Sequence, residues 1–406
     1  MTDAQTTSAP EAEAPLAGLK VVEFTHMVMG PSIGVILGDL GAEVIKVEPM
    51  EGDATRRLIG AGAGYFPMYN RNKKSIRLNL KSPGGLKVAK DLLKRADVFI
   101  ENFRPGAMGR LGLGYEALSA DNPGLIYCSA KGFLAGPYAH RTALDEVAQM
   151  MGGLAYMTGP PGRPLRAGAS VIDVTGGMFG VIGILAALEQ RRRTGKGQAV
   201  DCALFETTAF LVGQHMAQKA VTGVAAAPMP ARVSAWAVYD VFDTGDGDQV
   251  FIGVVSDSQW KAFCAEFDLA DWAADERLAQ NNQRIKSRDV IMPRLRDLFK
   301  SLPKAEILTR CEAAGLPFAP ITRPEELFDD PHLLASEGLI EVATRPGEDD
   351  PKRAALPALP LRMAAHRPGL HHDVPKAGEH THEVLTDALG LSAAEVAALE
   401  EAGAVG

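Results

Sequence analysis

An open α/β domain on a parallel sheet, followed by a smaller α+β domain, is the architecture this sequence predicts. Three observations carry it. Residues 19–48 read strand, helix, strand within about thirty residues, the βαβ unit that imposes parallel pairing. The same alternation recurs up to residue 206. The composition then turns rich in Ala, Pro and Gly over 221–236, before a β-hairpin pattern begins.

Each element has its own warrant. "LKVVEF" (19–24) is a β-branched run suited to a buried strand. Pro31 suits the first turn of the next helix and Gly41 its stop, and "AEVIKVE" (42–48) resumes as strand. A helix over 82–96, strands over 97–103 and 125–133, a helix over 174–193 and a strand over 198–206 continue the pattern. Residues 15–205 therefore read as an open domain of Rossmann type, 206–229 as a linker and 230–330 as the small domain. In the small domain, "AVYDVFDTGDGDQVFIGVVS" is a hairpin around a Gly/Asp turn, with helices at 258–267, 284–301 and 304–314. The chain ends in two helical segments, and residues 1–14 read as a disordered tail.

The 406 residues are 46% hydrophobic, enough for two cores of ordinary globular composition. A formal charge of -8 argues against a general nucleic-acid binder, and local basic clusters in an acidic protein point to a small anionic ligand. Cys128, Cys202, Cys264 and Cys311 are too scattered for a disulfide framework or a zinc site, so no metal is expected. The first residues lack the basic start and apolar core of a signal peptide, and "MFGVIGILAAL" is too short to span a bilayer. Together these predict a cytoplasmic protein with no membrane partner.

The turn after the first strand, "FTHMVMGPSIG", lacks G-x-G-x-x-G spacing, so Glu48 is not read as a ribose-binding acid. Arg71, Lys73, Lys74, Arg77 and Lys81 read as the solvated face of a loop entering a strand. A second cluster, "ENFRPGAMGRLG", lies at the carboxyl end of the strand 97–101, where open sheets bind ligands. There Asn102, Phe103, Arg104 and Arg110 offer an amide, a stacking face and two phosphate-pairing cations, suited to an adenine nucleotide with several phosphates. In "ALDEVAQMMGG", Leu144, Val147, Ala148 and Met151 have the spacing of a core face, and Asp145 suits the first turn. Asp173, just ahead of "VTGGMFG", reads as a helix N-cap. No G-x-S-x-G elbow and no glycosidase-like carboxylate pair is visible.

Taken in order, "LKVVEFTHMVMGP", "LGAEVIKVEP", "GDATR", "NRNKKSIRLNLK", "DVFIENFRPGAMGRLGLGYEAL", "SAKGF", "DEVAQMMGG", "RTGKGQAVD" and "GEHTHEVL" resemble the family III CoA-transferases over nearly the whole chain. The resemblance implies a Rossmann-like large domain made from both chain ends, with residues 331–406 returning to complete it, and an interlocked homodimer. It implies an aspartate nucleophile at Asp173, with Asp145 beside it and His26 flanking the site. It implies CoA contacts at Leu78, Lys81, Asn102, Phe103, Arg104, Arg110 and Lys131. Coenzyme A enters as a thioester substrate, with no tightly bound cofactor.

Two positions depart from relatives in that family. Val28 stands where the formyl-CoA enzyme has Gln, which disfavours oxalate and formate as substrates. Leu144 stands where racemase-type members have His, which leaves a two-base racemase incomplete. The implied reaction is transfer of CoA from a small dicarboxylyl-CoA such as succinyl-CoA to a free acid; the alternative is a 2-methylacyl-CoA racemase. Gly168, Gly176 and Gly177 are expected to present N–H groups to an oxyanion, as are Gly152 and Gly153. Arg163, Arg166, Arg141 and His140 are candidates to read an acceptor's second carboxylate.

Overall fold

The computed structural model describes residues 14–232, 234–347 and 352–406. Two compact units divide the chain, one built from residues up to Pro230 with Pro331–Gly406, the other from Ala231–Asp330. The expected tail lies outside the described residues, apart from Ala14.

In the larger unit, β1 (Lys20–Phe24), α1 (Met29–Asp39), β2 (Glu43–Glu48), α2 (Tyr65–Tyr69) and β3 (Lys73–Arg77) come first. Then follow α3 (Pro83–Arg95), β4 (Val98–Glu101), α4 (Ala107–Arg110), α5 (Tyr115–Asp121) and β5 (Ile126–Lys131). The run closes with α6 (Asp145–Met151), α7 (Leu154–Thr158), α8 (Val171–Thr194), β6 (Ala199–Ala203), α9 (Leu204–Leu211) and α10 (Gly213–Thr222). The six strands pair in parallel in the order β3-β2-β1-β4-β5-β6. The order reverses between β1 and β4, so the crevice beyond their carboxyl ends is the predicted ligand site of such a sheet. Phe24 pairs with Glu101 there, which places the residues after them side by side.

The sequence supports these elements locally. Ser82 caps α3 by accepting the Gly85 amide at 3.0 Å, Pro83 fills its first turn, and Lys94 and Arg95 close it. Helix α8 stops at Gly195, in the left-handed region at φ 71°, after three arginines in its last turn. With 24 residues it is long and apolar enough to cross a bilayer by length and composition, longer than the apolar run suggests. Here its apolar side packs on α1 and the sheet, with Ile172, Val181 and Ile184 in the core.

Several expectations need correction. The linker over 206–229 is mostly helical, because no Gly or Pro interrupts 214–222 and the breaker-rich stretch begins only at Gly223. The strand over 198–206 ends at Ala203, where α9 takes over. Arg71 and Lys73 do not face solvent: β3 is the edge of the sheet, yet the returning chain covers it. Asn72 accepts the amides of His371 and His372 at 2.6 and 2.9 Å, and Asn79 donates to Ala404 O at 2.9 Å. Thus enclosed, Arg71 pairs with Asp39 at 2.6 Å and Lys73 with Glu23 at 2.8 Å. Leu144, Val147 and Met151 form no core face; α6 buries Asp145, Ala148 and Gln149 instead.

The smaller unit pairs β7 (Val238–Asp243), β8 (Gln249–Val254) and β9 (Phe318–Pro320) antiparallel, with five helices, α11 (Asp257–Glu266), α12 (Ala270–Ala274), α13 (Asn281–Lys286), α14 (Arg288–Lys300) and α15 (Lys304–Ala313). Its core holds Trp260, Phe263, Phe267 and Phe299. In the larger unit, a separate pair, β10 (Leu339–Ala343) and β11 (Arg353–Pro357), is antiparallel.

Candidate active site

Asp173 is not the cap of its helix. It is the third residue of α8, and Ser170, at the capping position, makes no side-chain capping bond. The cap comes from elsewhere: Asp145 Oδ2 accepts the Ile172 amide at 2.9 Å and the Asp173 amide at 3.1 Å. Asp145 is almost fully buried at the start of α6, and its other oxygen accepts from Gln149 Nε2. Gln149 Oε1 in turn accepts the Ala167 amide at 2.8 Å, fastening the loop before the helix. One buried carboxylate thus satisfies two of the orphan donors of α8 and leaves the Asp173 side chain free of that duty.

The environment of Asp173 is anionic. Burial, then the charges of Asp145 and Glu146, push its pKa up to about 7, against a smaller opposing effect of Arg166. Arg166 is engaged with Glu146, lies 3.5 Å from Asp145 Oδ1, and donates to the carbonyls of Ala167 at 3.1 Å and Ala169 at 2.9 Å. Among the acceptor candidates, it is Arg166 whose charge opposes the rise in the Asp173 pKa. Arg141 stacks on Tyr138 at 4.2 Å, while His140 and Arg163 are exposed. Tyr69 was not singled out in the sequence. Burial and the charge of Asp173 raise its pKa to about 12, so it stays a hydrogen-bond donor. Its only sequence signal is an aromatic at the head of the basic run 71–81.

Gly176 and Gly177 lie three and four residues beyond Asp173, on the same face of α8. They are helix interior, so they present no free N–H to an oxyanion, contrary to expectation. Their role is close approach. A Cβ on Gly177 would sit 2.0 Å from Ser32 Oγ, and one on Gly176 2.8 Å from Met29 Cε. The start of α1 therefore rests against the face of α8 that carries Asp173. Gly152 faces Thr208, where a Cβ would come within 2.4 Å of its side chain.

At the reversal point of the sheet, Asn102 bridges the two strand ends. Its Oδ1 accepts the His26 amide at 3.1 Å and its Nδ2 donates to His26 O at 2.8 Å. The His26 ring lies 5.5 Å from the Phe103 ring, and desolvation, opposed by the charge of Asp53, holds its pKa below the ordinary value. Met27 follows in the left-handed region at φ 64°, a strain of about 1–2 kcal/mol for a side-chain-bearing residue.

The expected CoA contacts divide. Asn102, Phe103, Arg104 and Arg110 gather beyond β4, with both arginines exposed and free of ion-pair partners among the described residues. Lys81 is exposed ahead of α3. Lys131 is committed elsewhere: its ammonium meets Glu101 at 2.5 and 2.7 Å and Phe103 O at 2.7 Å, which uses its three protons. Leu78 is buried in the core, its amide bonded to Glu48 O, so it offers a ligand no side chain. Glu48 is likewise occupied, by Arg56, Ser75 and the Asp53 amide. Among the described residues no cluster of three or more His, Cys, Asp or Glu suits a metal.

Known proteins resemble this chain over most of its length. The chain is 34% identical to succinyl-CoA:glutarate CoA-transferase of Mus musculus over 92% of its own length and 86% of that protein. It is 38% identical to acetyl-CoA:oxalate CoA-transferase of Acetobacter aceti, covering 89% of this chain and 97% of the other. A crystal structure of a CAIB/BAIF family protein from Brucella suis superposes with a TM-score of 0.81 at 34% identity, covering 92% of this chain and 99% of that one. Residues 16–381 match CoA-transferase family III, and with the sheet order and the clustered residues above, the chain belongs to that family.

Proposed function

We propose that this CoA-transferase exchanges CoA between small dicarboxylic acids, with Asp173 as the covalent nucleophile. The observation that carries the reading is a half-buried carboxylate, relieved of capping and poised near neutrality, at the first turn of a helix packed beside the ligand crevice. Asp173 attacks the thioester carbonyl; the C–S bond breaks, leaving an aspartyl–acyl anhydride and CoA thiolate. The thiolate attacks the aspartyl carbonyl, expelling the first acid and leaving an aspartyl-CoA thioester. The acceptor carboxylate attacks that thioester and releases thiolate again. Thiolate then takes the new acyl group and frees Asp173. Every bond broken is matched by one of similar energy, so no ATP is consumed.

Arg104, Arg110 and Lys81 supply cations for the phosphates, and Phe103 with Asn102 frames the nucleotide end. Tyr69 and Arg166 flank the carboxylate and serve the anionic acids. Val28 is buried and offers no amide, which favours a succinate- or glutarate-sized acid over oxalate. The relative acting on succinyl-CoA and glutarate supports the same choice.

The working form is a homodimer. Ile182 on α8 is 58% exposed, Phe210 on α9 71% and Val221 on α10 85%, and Leu144 and Met150 extend this apolar surface. A second copy is the occupant the family resemblance implies, and light scattering of the protein and of Ile182→Asp tests it.

Incubation with labelled succinyl-CoA and a panel of diacids, then hydroxylamine and peptide mapping, tests the chemistry. Transfer with a hydroxamate at Asp173 is expected. Transfer with no modification there overturns the nucleophile, and solvent deuterium entering a 2-methylacyl-CoA without acyl exchange favours a racemase.

A further inference from the structure

No step of the transfer uses Gly52-Asp53-Ala54-Thr55-Arg56, yet Asp53 and Thr55 are almost fully buried. Their bonds lead to one place. Lys46, wholly buried on β2, pairs with Asp53 at 3.0 Å and donates to Thr25 O at 2.8 Å. Asp53 Oδ1 accepts from the Thr55 amide at 2.9 Å and from its hydroxyl at 2.8 Å. Thr55 Oγ1 then accepts the Met27 amide at 3.0 Å. Lys73, also fully buried, donates to Pro31 O at 3.0 Å from the other side. With Asn102 holding His26, side chains from four separate segments grip the backbone of 25–31 at Thr25 O, His26 N, His26 O, Met27 N and Pro31 O.

Buried ion pairs add little to stability beyond what apolar residues of the same volume provide. Here the donors and acceptors converge on one strained connection. That connection carries His26 and delivers Met29 against Gly176, one turn from Asp173. We propose that Thr55, fixed by Asp53 and Lys46, is a positioning residue for transfer: it holds Met27 in its left-handed conformation and so sets the β1–α1 connection against the nucleophile helix. The inference rests on Asp173 as the reacting group.

Thr55→Val keeps the side-chain volume and removes the polar acceptor. The expected result is a kcat lower by about 10–100-fold, the scale of a small misplacement at a reacting centre. CoA affinity by calorimetry is expected to stay within about twofold, since the phosphate-facing groups beyond β4 are untouched. Amide exchange is expected to quicken in peptides covering 25–31 and to stay slow in β5 and β6. Thr55→Ser restores all three. Unchanged kcat, loss of CoA affinity in step with kcat, or failure of Ser to rescue overturns the proposal. If Thr55→Val does not fold, Thr55→Ala replaces it with the same readouts. Absence of transfer by the unmodified protein counts against the proposed function instead, and exchange at 25–31 still decides the clamp.

Discussion

Asp145 Oδ2 lies 3.1 Å from the backbone nitrogen of Asp173, so one aspartate caps the helix on which the other is mounted. The arrangement separates two duties that local sequence assigns to a single residue. It also sets an electrostatic condition: the capping charge disfavours ionisation of its neighbour.

Asp145→Ala removes the acceptor for two helix amides. A loss of about 1–2 kcal/mol of stability is expected, with a lower melting temperature. Asp145→Asn keeps one acceptor oxygen and removes the charge, so the ionisation midpoint of Asp173 falls. Difference titration of the backbone and side-chain carbons of Asp173 by NMR checks it.

The pH dependence of kcat/KM has a stated sign. In the proposed mechanism Asp173 reacts as carboxylate, and its pKa is raised to about 7, so activity is expected to rise with pH through that value. Glu146→Gln removes a charge that raises this pKa and is expected to move the midpoint down. An unmoved midpoint in that variant assigns the titration to another group.

Asp173→Asn abolishes transfer and retains CoA binding. The raised pKa means the folded state holds a proton that the unfolded chain loses near pH 4, so ionisation costs stability increasingly from about pH 4 to 7. The neutral amide escapes that cost. Its melting temperature is expected to exceed that of the unmodified protein at pH 8, with the gap closing at pH 4.

Gly177→Ala and Gly176→Ala separate backbone from side-chain crowding. The first meets Ser32 Oγ at 2.0 Å and Met29 O at 3.0 Å; the second meets the far end of the flexible Met29 side chain at 2.8 Å and Thr207 Oγ1 at 3.6 Å. A loss of about 1–3 kcal/mol is expected for Gly177→Ala, with less for Gly176→Ala. Calorimetry gives the order, and kcat follows it if α1 is displaced.

Arg104→Ala with Arg110→Ala is expected to raise KM for the CoA substrate and to leave melting unchanged, because neither arginine has an ion-pair partner among the described residues. Lys131→Met behaves oppositely. It leaves Glu101 buried without its cation, and a stability loss of about 3–5 kcal/mol is expected. Parallel kinetics and melting curves distinguish the two classes.

The βαβ alternation, the hairpin around "TGDGD", the cluster 102–110 and the prominence of Asp173 were all legible along the chain, because each rests on spacing within one or two elements. The family motifs added the activity. What spacing could not report is contact between distant segments. The cap on α8 comes from 28 residues upstream, and Arg71 and Lys73 are buried on a strand over which residues 371–406 return. Lys131, a CoA contact by the family resemblance, has its ammonium paired with Glu101 on the adjacent strand.

Sequence alone therefore determined the type of fold and the family, and it named Asp173 and the cluster 102–110 as the residues to test. Tertiary structure decided which charges are free and which are spent, and how far Asp173 is shifted. The physical reason is that periodicity and turn chemistry are local, whereas burial and the energy of a charge depend on everything packed around it.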